Sequence, residues 1–182
     1  MPLIQIRKKL TQFPDDMIRT ATADDIDIIQ KIAADTWPDT YSDIISKEQL
    51  EYMLDLMYSK KSLEEQMQKG HLFYIAEAAG QAVGFASVSR EEQNVFKLNK
   101  LYVLPAMQKT GAGKVLLNQV ISHATNAGGQ SLILQVNKKN KAKSFYEKQG
   151  FTVIKEQVLE LEHGFVMDDY IMGINIPVDV SA

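Results

Sequence analysis

The sequence predicts an α/β fold, in which helices flank an α+β mixed sheet. Three observations support this prediction. Apolar residues stand at helical spacing in the first third of the 182-residue chain, whereas β-rich runs begin at Leu72. A loop with two glycines then separates an apolar run from another helical pattern, an order typical of α/β proteins. No linker, repeat or low-complexity tract interrupts the chain, so we expect one domain.

The first elements are predicted to be a short strand and three helices. The strand covers residues 18–21, and Thr22 caps the first helix. We expect Pro38 to end that helix, because proline lacks the N–H that a helix interior requires. Capping-box patterns begin the second and third helices, at Ser46 with Gln49 and at Ser62 with Glu65.

After residue 70 the pattern predicts three strands, a helix, a strand, a second helix and a final hairpin. A turn at Gly80 and Gln81 joins the first two strands, and the pair Gly128-Gly129 stops the first helix. The predicted strands cover residues 72–78, 83–89, 95–104, 131–136, 151–161 and 165–174, and the helices begin near Gly113 and at Lys141.

The composition argues against several kinds of function. A net charge of −3 implies no basic surface for nucleic acid or membranes, and the longest apolar runs are too short to cross a bilayer. The absence of cysteine removes disulfides, thiolate nucleophiles and cysteine metal sites, which agrees with a cytoplasmic location. His71, His123 and His163 have no further ligands at metal-binding spacing, so we predict no metal site.

The two ends of the chain are predicted to lie outside the folded domain. Residues 1–16 read as an N-terminal extension, because the globular pattern begins at Met17. Basic residues from Arg7 onwards interrupt this extension before the apolar core of a signal peptide could form. We therefore expect a folded domain over residues 17–176 and a C-terminal tail over residues 177–182.

The loop Gln-Lys-Thr-Gly-Ala-Gly at positions 108–113 has the features of an anion site. N–H groups at a helix start lack carbonyl partners, and the helix dipole adds positive charge there. The glycines let a phosphate approach the backbone, and Lys109 and Lys114 add charge at the rim. The spacing matches neither a P-loop nor a dinucleotide fingerprint. A loop that only turns the chain is the alternative interpretation.

Three ordered motifs in the second half of the chain resemble the GNAT acetyltransferase superfamily. They are Leu101-Tyr102-Val103-Leu104-Pro105, then Gln108-x-x-Gly111-x-Gly113, then Phe145-Tyr146-Glu147-Lys148-x-Gly150-Phe151 with Asn140 and Ala142 before it. The segment Met167-Asp168-Asp169-Tyr170-x-Met172 is similar to the last strand of that family. The resemblance covers residues 18–174, and residues 37–41 look closest to polyamine-type members.

The resemblance implies a mostly antiparallel central sheet with a splayed parallel strand pair, here residues 95–104 and 131–136. It also implies acetyl-CoA as the donor, with its pantetheine arm added to the freed strand edge through the main chain of Leu101 and Val103. The implied pyrophosphate ligands are the N–H groups of Gln108, Lys109, Thr110, Gly111, Ala112 and Gly113. Asn140 or Asn137 would bind the pantetheine, and a helix N-cap is the other interpretation of Asn140.

The resemblance assigns one catalytic residue and leaves another role open. Tyr146 would protonate the leaving CoA thiolate, although a tyrosine that only packs on the sheet fits the pattern too. Many family members carry a glutamate near the position of Asn99, and this strand has no acid there. The group that takes the proton of the amine is therefore unassigned. The candidates elsewhere are Glu77, Glu91, Glu92, Asp39 and His163, each of which also fits a solvated surface position.

On the acceptor side, the candidates are Trp37, Asp39 and Tyr41. A carboxylate between aromatic rings suits an ammonium group, and a core anchor is the alternative role for Trp37. The predicted function is direct transfer of acetyl from acetyl-CoA to a small-molecule primary amine, with a polyamine as one candidate, in a ternary complex. A peptide or protein amine and a catalytically silent acyl-CoA-binding module are the alternatives. Both a monomer and a homodimer fit the sequence.

Overall fold

The computed structural model describes residues 2–9, 12–14 and 17–177. Its helices are α1 (Leu3–Lys9), α2 (Ile26–Tyr41), α3 (Lys47–Tyr58), α4 (Lys60–Gln68), α5 (Ala112–Asn126) and α6 (Ala142–Lys148). Its strands are β1 (Ile18–Thr20), β2 (Leu72–Ala78), β3 (Gln81–Glu92), β4 (Val95–Val103), β5 (Ser131–Asn137), β6 (Thr152–Glu160) and β7 (Val166–Asn175). Within the described part of the chain, no helix has the length and hydropathy of a membrane span.

All seven strands form one sheet in the order β1-β2-β3-β4-β5-β7-β6. Every neighbouring pair is antiparallel except β4 and β5, which run parallel. This parallel pairing ends where Leu98 faces Leu134. Beyond Leu98, no residue of β4 pairs with β5, although β5 continues to pair with β7 on its other side. Residues 99–103 of β4 therefore present an open edge. The predicted fold class, a mixed sheet that contains one parallel pair, is confirmed.

Hydrophobic side chains pack on both faces of the central strands, whereas β6 at the edge of the sheet is largely exposed. On one face, α5 packs against β2, β3 and β4, and the cluster includes Leu116, Leu117 and Phe151. On the other face, α2, α3 and α4 pack around Trp37 and Phe85. Burial of these side chains supplies the main driving force for folding. The open edge of β4 lies between the two layers.

A bulge in β4 decides which side chains reach each layer. Val88 on β3 faces Leu98, whereas Ser87 faces Lys100, so one extra residue stands on β4 between these pairs. Such a bulge reverses the alternation of side chains along a strand. Leu98 consequently belongs to the α5 layer, whereas Tyr102 packs in the α2 layer.

The described part of the predicted N-terminal extension packs against the domain. Ile6 and Phe13 are buried in the α5 layer. The Phe13 N–H donates a hydrogen bond of 2.9 Å to the Thr110 carbonyl, in the middle of the glycine loop. The domain boundary at residue 17 remains a prediction, and residues 178–182 of the predicted tail lie outside the described residues.

The prediction that Pro38 ends the first helix is wrong, because α2 continues through it to Tyr41. A proline at position 38 leaves the carbonyl of Ala34 without its helical N–H partner. Ala34 and Pro38 are both exposed, so water can bind that carbonyl. Thr40 adds a hydrogen bond of 3.1 Å from its hydroxyl to the Thr36 carbonyl.

Two predicted helix caps are confirmed and one is displaced. Thr22 forms a capping box with Asp25, and the Ser46 hydroxyl accepts from the Gln49 N–H. The third helix begins at Lys60 rather than at Ser62, because the Ser59 hydroxyl caps it. The first hairpin turn is also displaced by one residue and is formed by residues 79–80, which both have positive φ.

Candidate active site

A cleft of about 690 Å³ opens where β4 and β5 separate. Its floor is formed by residues 98–103 of β4 and 134–136 of β5. The glycine loop and α6 close one end, and the C-terminal turn of α2 closes the other. A ligand that occupies this cleft contacts backbone at one end and side chains at the other.

The main chain of β4 points into the cleft at alternate residues. The Leu104 N–H donates to the Val83 carbonyl, which makes that pair a hydrogen-bonded pair of the antiparallel ladder. Alternation along the ladder then directs the N–H and carbonyl groups of Leu101 and Val103 away from β3 and towards the cleft. Consistent with this, the Gln108 side chain donates to the Val103 carbonyl at 3.3 Å. The two residues predicted to contact pantetheine thus face the open edge.

The glycine loop turns sharply before α5. Lys109 and Gly111 both have positive φ, at 63° and 94°. Of the six predicted phosphate ligands, Gln108, Lys109, Gly111 and Gly113 line the cleft. Thr110 and Ala112 do not; the Thr110 hydroxyl instead donates to the Met107 carbonyl, and Ala112 is buried in the α5 layer.

Four lysines surround the end of the cleft next to the glycine loop. They are Lys109, Lys114, Lys139 and Lys141. Together with the unpaired N–H groups at the start of the 15-residue α5, they give this end a positive potential. The arrangement suits a ligand that carries several phosphates.

Tyr146 is buried and lines the same cleft. Its ring packs edge-to-face against Phe145 and Phe151, which fixes its position on α6. Burial raises the pKa of its phenol, so the hydroxyl keeps its proton at neutral pH. Since it has no hydrogen-bond partner among the described residues, this hydroxyl is free to donate a proton to a ligand.

The two predicted pantetheine ligands differ in their surroundings. Asn140 lines the cleft, where its side-chain oxygen accepts from the Ala142 N–H at 2.9 Å and its amide lies 3.5 Å from the Tyr41 hydroxyl. Asn137 is buried at the end of β5, and its oxygen accepts from the Lys139 N–H. Lys141 occupies the N-cap position of α6, and Asn140 just before it binds the first N–H of the helix while also facing the cleft.

The three predicted acceptor-side residues divide between cleft and core. Trp37 is 2% exposed, packs on Tyr41 with ring centroids 4.5 Å apart, and lies outside the cleft lining. This placement supports the alternative role of core anchor. Asp39 and Tyr41 do line the cleft, at its α2 end. The Tyr41 hydroxyl is 3.1 Å from that of Tyr102, and burial raises the pKa of both phenols.

Lys100 is a cleft residue that the sequence analysis missed. It is 9% exposed, donates to the Gln66 side chain at 2.8 Å, and lies over the Tyr58 ring. No carboxylate of the described residues forms an ion pair with it. Burial, followed by the charge of Lys97, lowers its pKa to about 8. The bulge in β4 moves this residue from the α5 face of the sheet to the α2 face, which the sequence pattern alone does not reveal.

The five groups considered as proton acceptors do not converge on the cleft. Glu77 is paired with Arg19, and Glu91 with Lys97. Only Asp39 of the five lines the cleft. No group of three or more His, Asp or Glu side chains in the described ranges could hold a metal ion.

Comparisons with known proteins agree with this geometry. The acetyltransferase (GNAT) domain model matches residues 41–170. An uncharacterized N-acetyltransferase of Mycobacterium tuberculosis is 30% identical over 149 residues, or 79% of this chain and 96% of that protein. The spermidine N(1)-acetyltransferase of Thermoplasma acidophilum is 29% identical over 142 residues, or 75% of this chain and 88% of that enzyme. The solved structure of the PaiA N-acetyltransferase of Thermoplasma acidophilum in complex with coenzyme A superimposes with a TM-score of 0.73 at 27% identity, over 87% of this chain and 97% of that one.

Proposed function

This chain belongs to the GNAT acetyltransferase family, and on that basis we propose that it transfers the acetyl group of acetyl-CoA directly to a primary amine of a small molecule. The observation that carries the proposal is the open edge of β4 beside a glycine loop that begins α5. The thioester arm of the donor fits the open edge of β4, and its pyrophosphate fits the glycine loop. The relative crystallised with coenzyme A supports the same donor here.

In the proposed complex, the donor adds to β4 as an extra strand. Main-chain groups of Leu101 and Val103 hold the pantetheine arm, and Asn140 contacts its amides from the start of α6. The glycine loop and its lysines hold the pyrophosphate. A β4 N–H next to the thioester oxygen stabilises the oxyanion that forms during attack, an effect worth roughly 3 kcal/mol in enzymes with one such donor.

Tyr146 acts as the general acid. Its raised pKa keeps the phenol protonated until the CoA sulfur takes up negative charge. Proton donation then makes the thiolate a better leaving group. The amine attacks the donor directly in a ternary complex. The absence of cysteine, the commonest side chain for a covalent acyl intermediate, supports this route.

The acceptor enters from the α2 end of the cleft. Asp39 and Tyr41 stand there and offer a carboxylate and a hydroxyl to an ammonium group. The similarity to a spermidine N(1)-acetyltransferase supports a polyamine as one candidate acceptor. The buried cation of Lys100 in the same region opposes binding of a long polycation deep in the cleft, so the choice requires a panel of amines.

The experiment that tests the proposal is the release of free CoA thiol from acetyl-CoA with a panel of amines. The panel contains polyamines, amino acids, aminoglycosides and N-terminal peptides. The protein contributes no thiol background, because it lacks cysteine. Thiol release that depends on one amine class, with an equal amount of N-acetylated product, is the expected result. Acetyl-CoA binding without turnover on any amine would instead support a silent acyl-CoA-binding module, and turnover only with peptides would support a protein acceptor.

A further inference from the structure

Asp169 is a buried carboxylate for which the proposed function has no role. It stands on β7 and is 5% exposed. Its Oδ1 atom has no hydrogen-bond partner among the described residues. Its Oδ2 atom accepts one long hydrogen bond, of 3.4 Å, from the Gln135 side chain. Gln135 itself lines the cleft, so one side chain separates this carboxylate from the acceptor end.

The surroundings of Asp169 make its ionised carboxylate destabilising to the folded state. A buried carboxylate without a full set of hydrogen bonds destabilises the folded state. Burial, and then the neighbouring charge of Asp168, raise its pKa to about 6, while Gln135 and Lys97 oppose the rise. No lysine or arginine of the described residues forms an ion pair with it. A group of this kind, close to a cleft, is a candidate for a function.

We propose that Asp169 accepts the proton of the attacking amine, through one water molecule admitted when the Gln135 side chain turns aside. This inference rests on the proposed function and supplies the proton acceptor that β4 lacks near Asn99. The long Gln135 bond is weak enough to exchange for a water. Asp169 also lies on the same face of β7 as Met167, which packs in the α2 layer, so it faces the proposed acceptor side of the sheet.

The proposed proton transfers balance. The amine nitrogen forms a bond to the acetyl carbon, and the bond between that carbon and the CoA sulfur breaks. The amine nitrogen loses one proton, which passes through the water to Asp169. Tyr146 gives one proton to the sulfur. The Asp169 proton then leaves to solvent and Tyr146 regains a proton, so the net products are the amide and free CoA thiol.

The charged groups around Asp169 set its pH response. Asp168 lies next to it on β7, Lys97 faces it from β4, and Tyr41 faces it from α2. Asp168 is ion-paired to Lys138 and its side chain is 52% exposed, so it is a suitable control for Asp169. Since the phenol of Tyr41 has a raised pKa, it stays neutral over the range in which Asp169 titrates.

The test compares Asp169→Asn with Asp168→Asn, using the best amine of the panel. We expect Asp169→Asn to lower kcat/KM at pH 7.5 by about 100-fold or more, the usual contribution of a general base, and Asp168→Asn to lower it by less than about threefold. The ratio of wild-type to Asp169→Asn activity should shrink as the pH falls below about 6. This ratio cancels the ionisation of the amine, which is common to both proteins.

Three results would overturn the assignment. They are an Asp169→Asn enzyme as active as wild type, equal losses in the two variants, and a wild-type to variant ratio that is independent of pH. Because the asparagine removes a buried charge, its midpoint of thermal unfolding at pH 8 should be no lower than that of wild type. If the variant nevertheless fails to fold, the wild-type profile of log kcat/KM against pH decides. Ionisation of the amine alone gives a slope of about one, so a steepening to about two below pH 6 supports the assignment, and an unchanged slope contradicts it. Turnover by the wild type separates a failure of this inference from a failure of the proposed function.

Discussion

The two ends of the cleft are lined by different kinds of group. The donor half consists of the open β4 edge, the glycine loop and the start of α6, where backbone groups and surface lysines face the ligand. The proposed acceptor half consists of the end of α2, Lys100 and Gln135, with the buried carboxylate of Asp169 behind Gln135, so ionisable or polar side chains dominate there. A donor shared by a whole family can be held by backbone. An acceptor has to be recognised by side chains, and these differ from one member to the next.

The largest effect is expected from Tyr146→Phe, which removes the proposed proton donor from the donor half. We expect kcat to fall by about 100- to 1,000-fold, because the thiolate would leave without a proton. The dissociation constant of CoA should stay within about twofold, since the ring still packs against Phe145 and Phe151. Stopped-flow turnover and calorimetric binding measure the two quantities.

A matched control for this prediction is Tyr74→Phe. Tyr74 is also buried, but it lies on β2 in the α5 layer and does not line the cleft. Removal of the Tyr74 hydroxyl should leave kcat unchanged. Parallel losses of kcat and CoA affinity in Tyr146→Phe would instead assign Tyr146 a packing role.

A second effect, on stability, is expected in the acceptor half from Lys100→Met. The lysine has a pKa of about 8 in the folded protein, below its ordinary value of 10.5. The folded state therefore binds fewer protons than the unfolded state between these pH values, and the cost of burying the charge is complete below pH 8. The variant should gain up to about 3 kcal/mol of unfolding free energy at pH 7, and this gain should disappear as the pH rises towards 10.5.

Denaturant titrations at several pH values measure this difference. The control is Lys61→Met, whose side chain is 87% exposed, and it should change stability by less than about 0.5 kcal/mol at every pH. If Lys100→Met destabilises the protein at pH 7, the buried cation contributes to the fold rather than to the site.

The smallest effect is expected in the donor half, from Gly111→Ala. Gly111 has φ of 94°, a backbone conformation that costs an alanine roughly 1 kcal/mol. We expect that loss of stability together with about a tenfold weaker affinity for acetyl-CoA. Gly128→Ala is the matched control, because Gly128 has φ of 80° at the far end of α5. The Gly128→Ala variant should lose similar stability and keep its affinity for acetyl-CoA. Equal losses of affinity in the two variants would mean that Gly111 has no specific role in phosphate binding.

The donor half could be predicted from sequence because its determinants are contiguous. Strand, glycines and helix start stand within about fifteen residues, and Tyr146 lies in a motif of its own. The acceptor half could not be predicted in this way. The bulge in β4 reverses the alternation and moves Lys100 from the α5 face of the sheet to the α2 face. Asp169 lies near the cleft because β7 pairs with β5. In the sequence, α6 and β6 stand between these two strands, so the local pattern does not show that they are neighbours.

Pro38 illustrates the same limit. Its local chemistry predicts the end of a helix, yet the helix continues through it on an exposed face, where water can replace the lost N–H partner. Trp37 beside it reads from sequence as either a substrate contact or a core anchor. The packing of α2 against the sheet favours the anchor, since Trp37 lies against Tyr41, Tyr58 and Tyr102.

Amide-resolved hydrogen exchange along β4, with and without acetyl-CoA, tests most directly whether the donor completes the sheet at the open edge of this strand. We expect acetyl-CoA to slow exchange at Leu101 and Val103, whose N–H groups face the cleft. Exchange at Lys100 and Tyr102, which already bond to β3, should stay nearly unchanged. Saturating acetyl-CoA that protects neither Leu101 nor Val103 would contradict this placement of the donor.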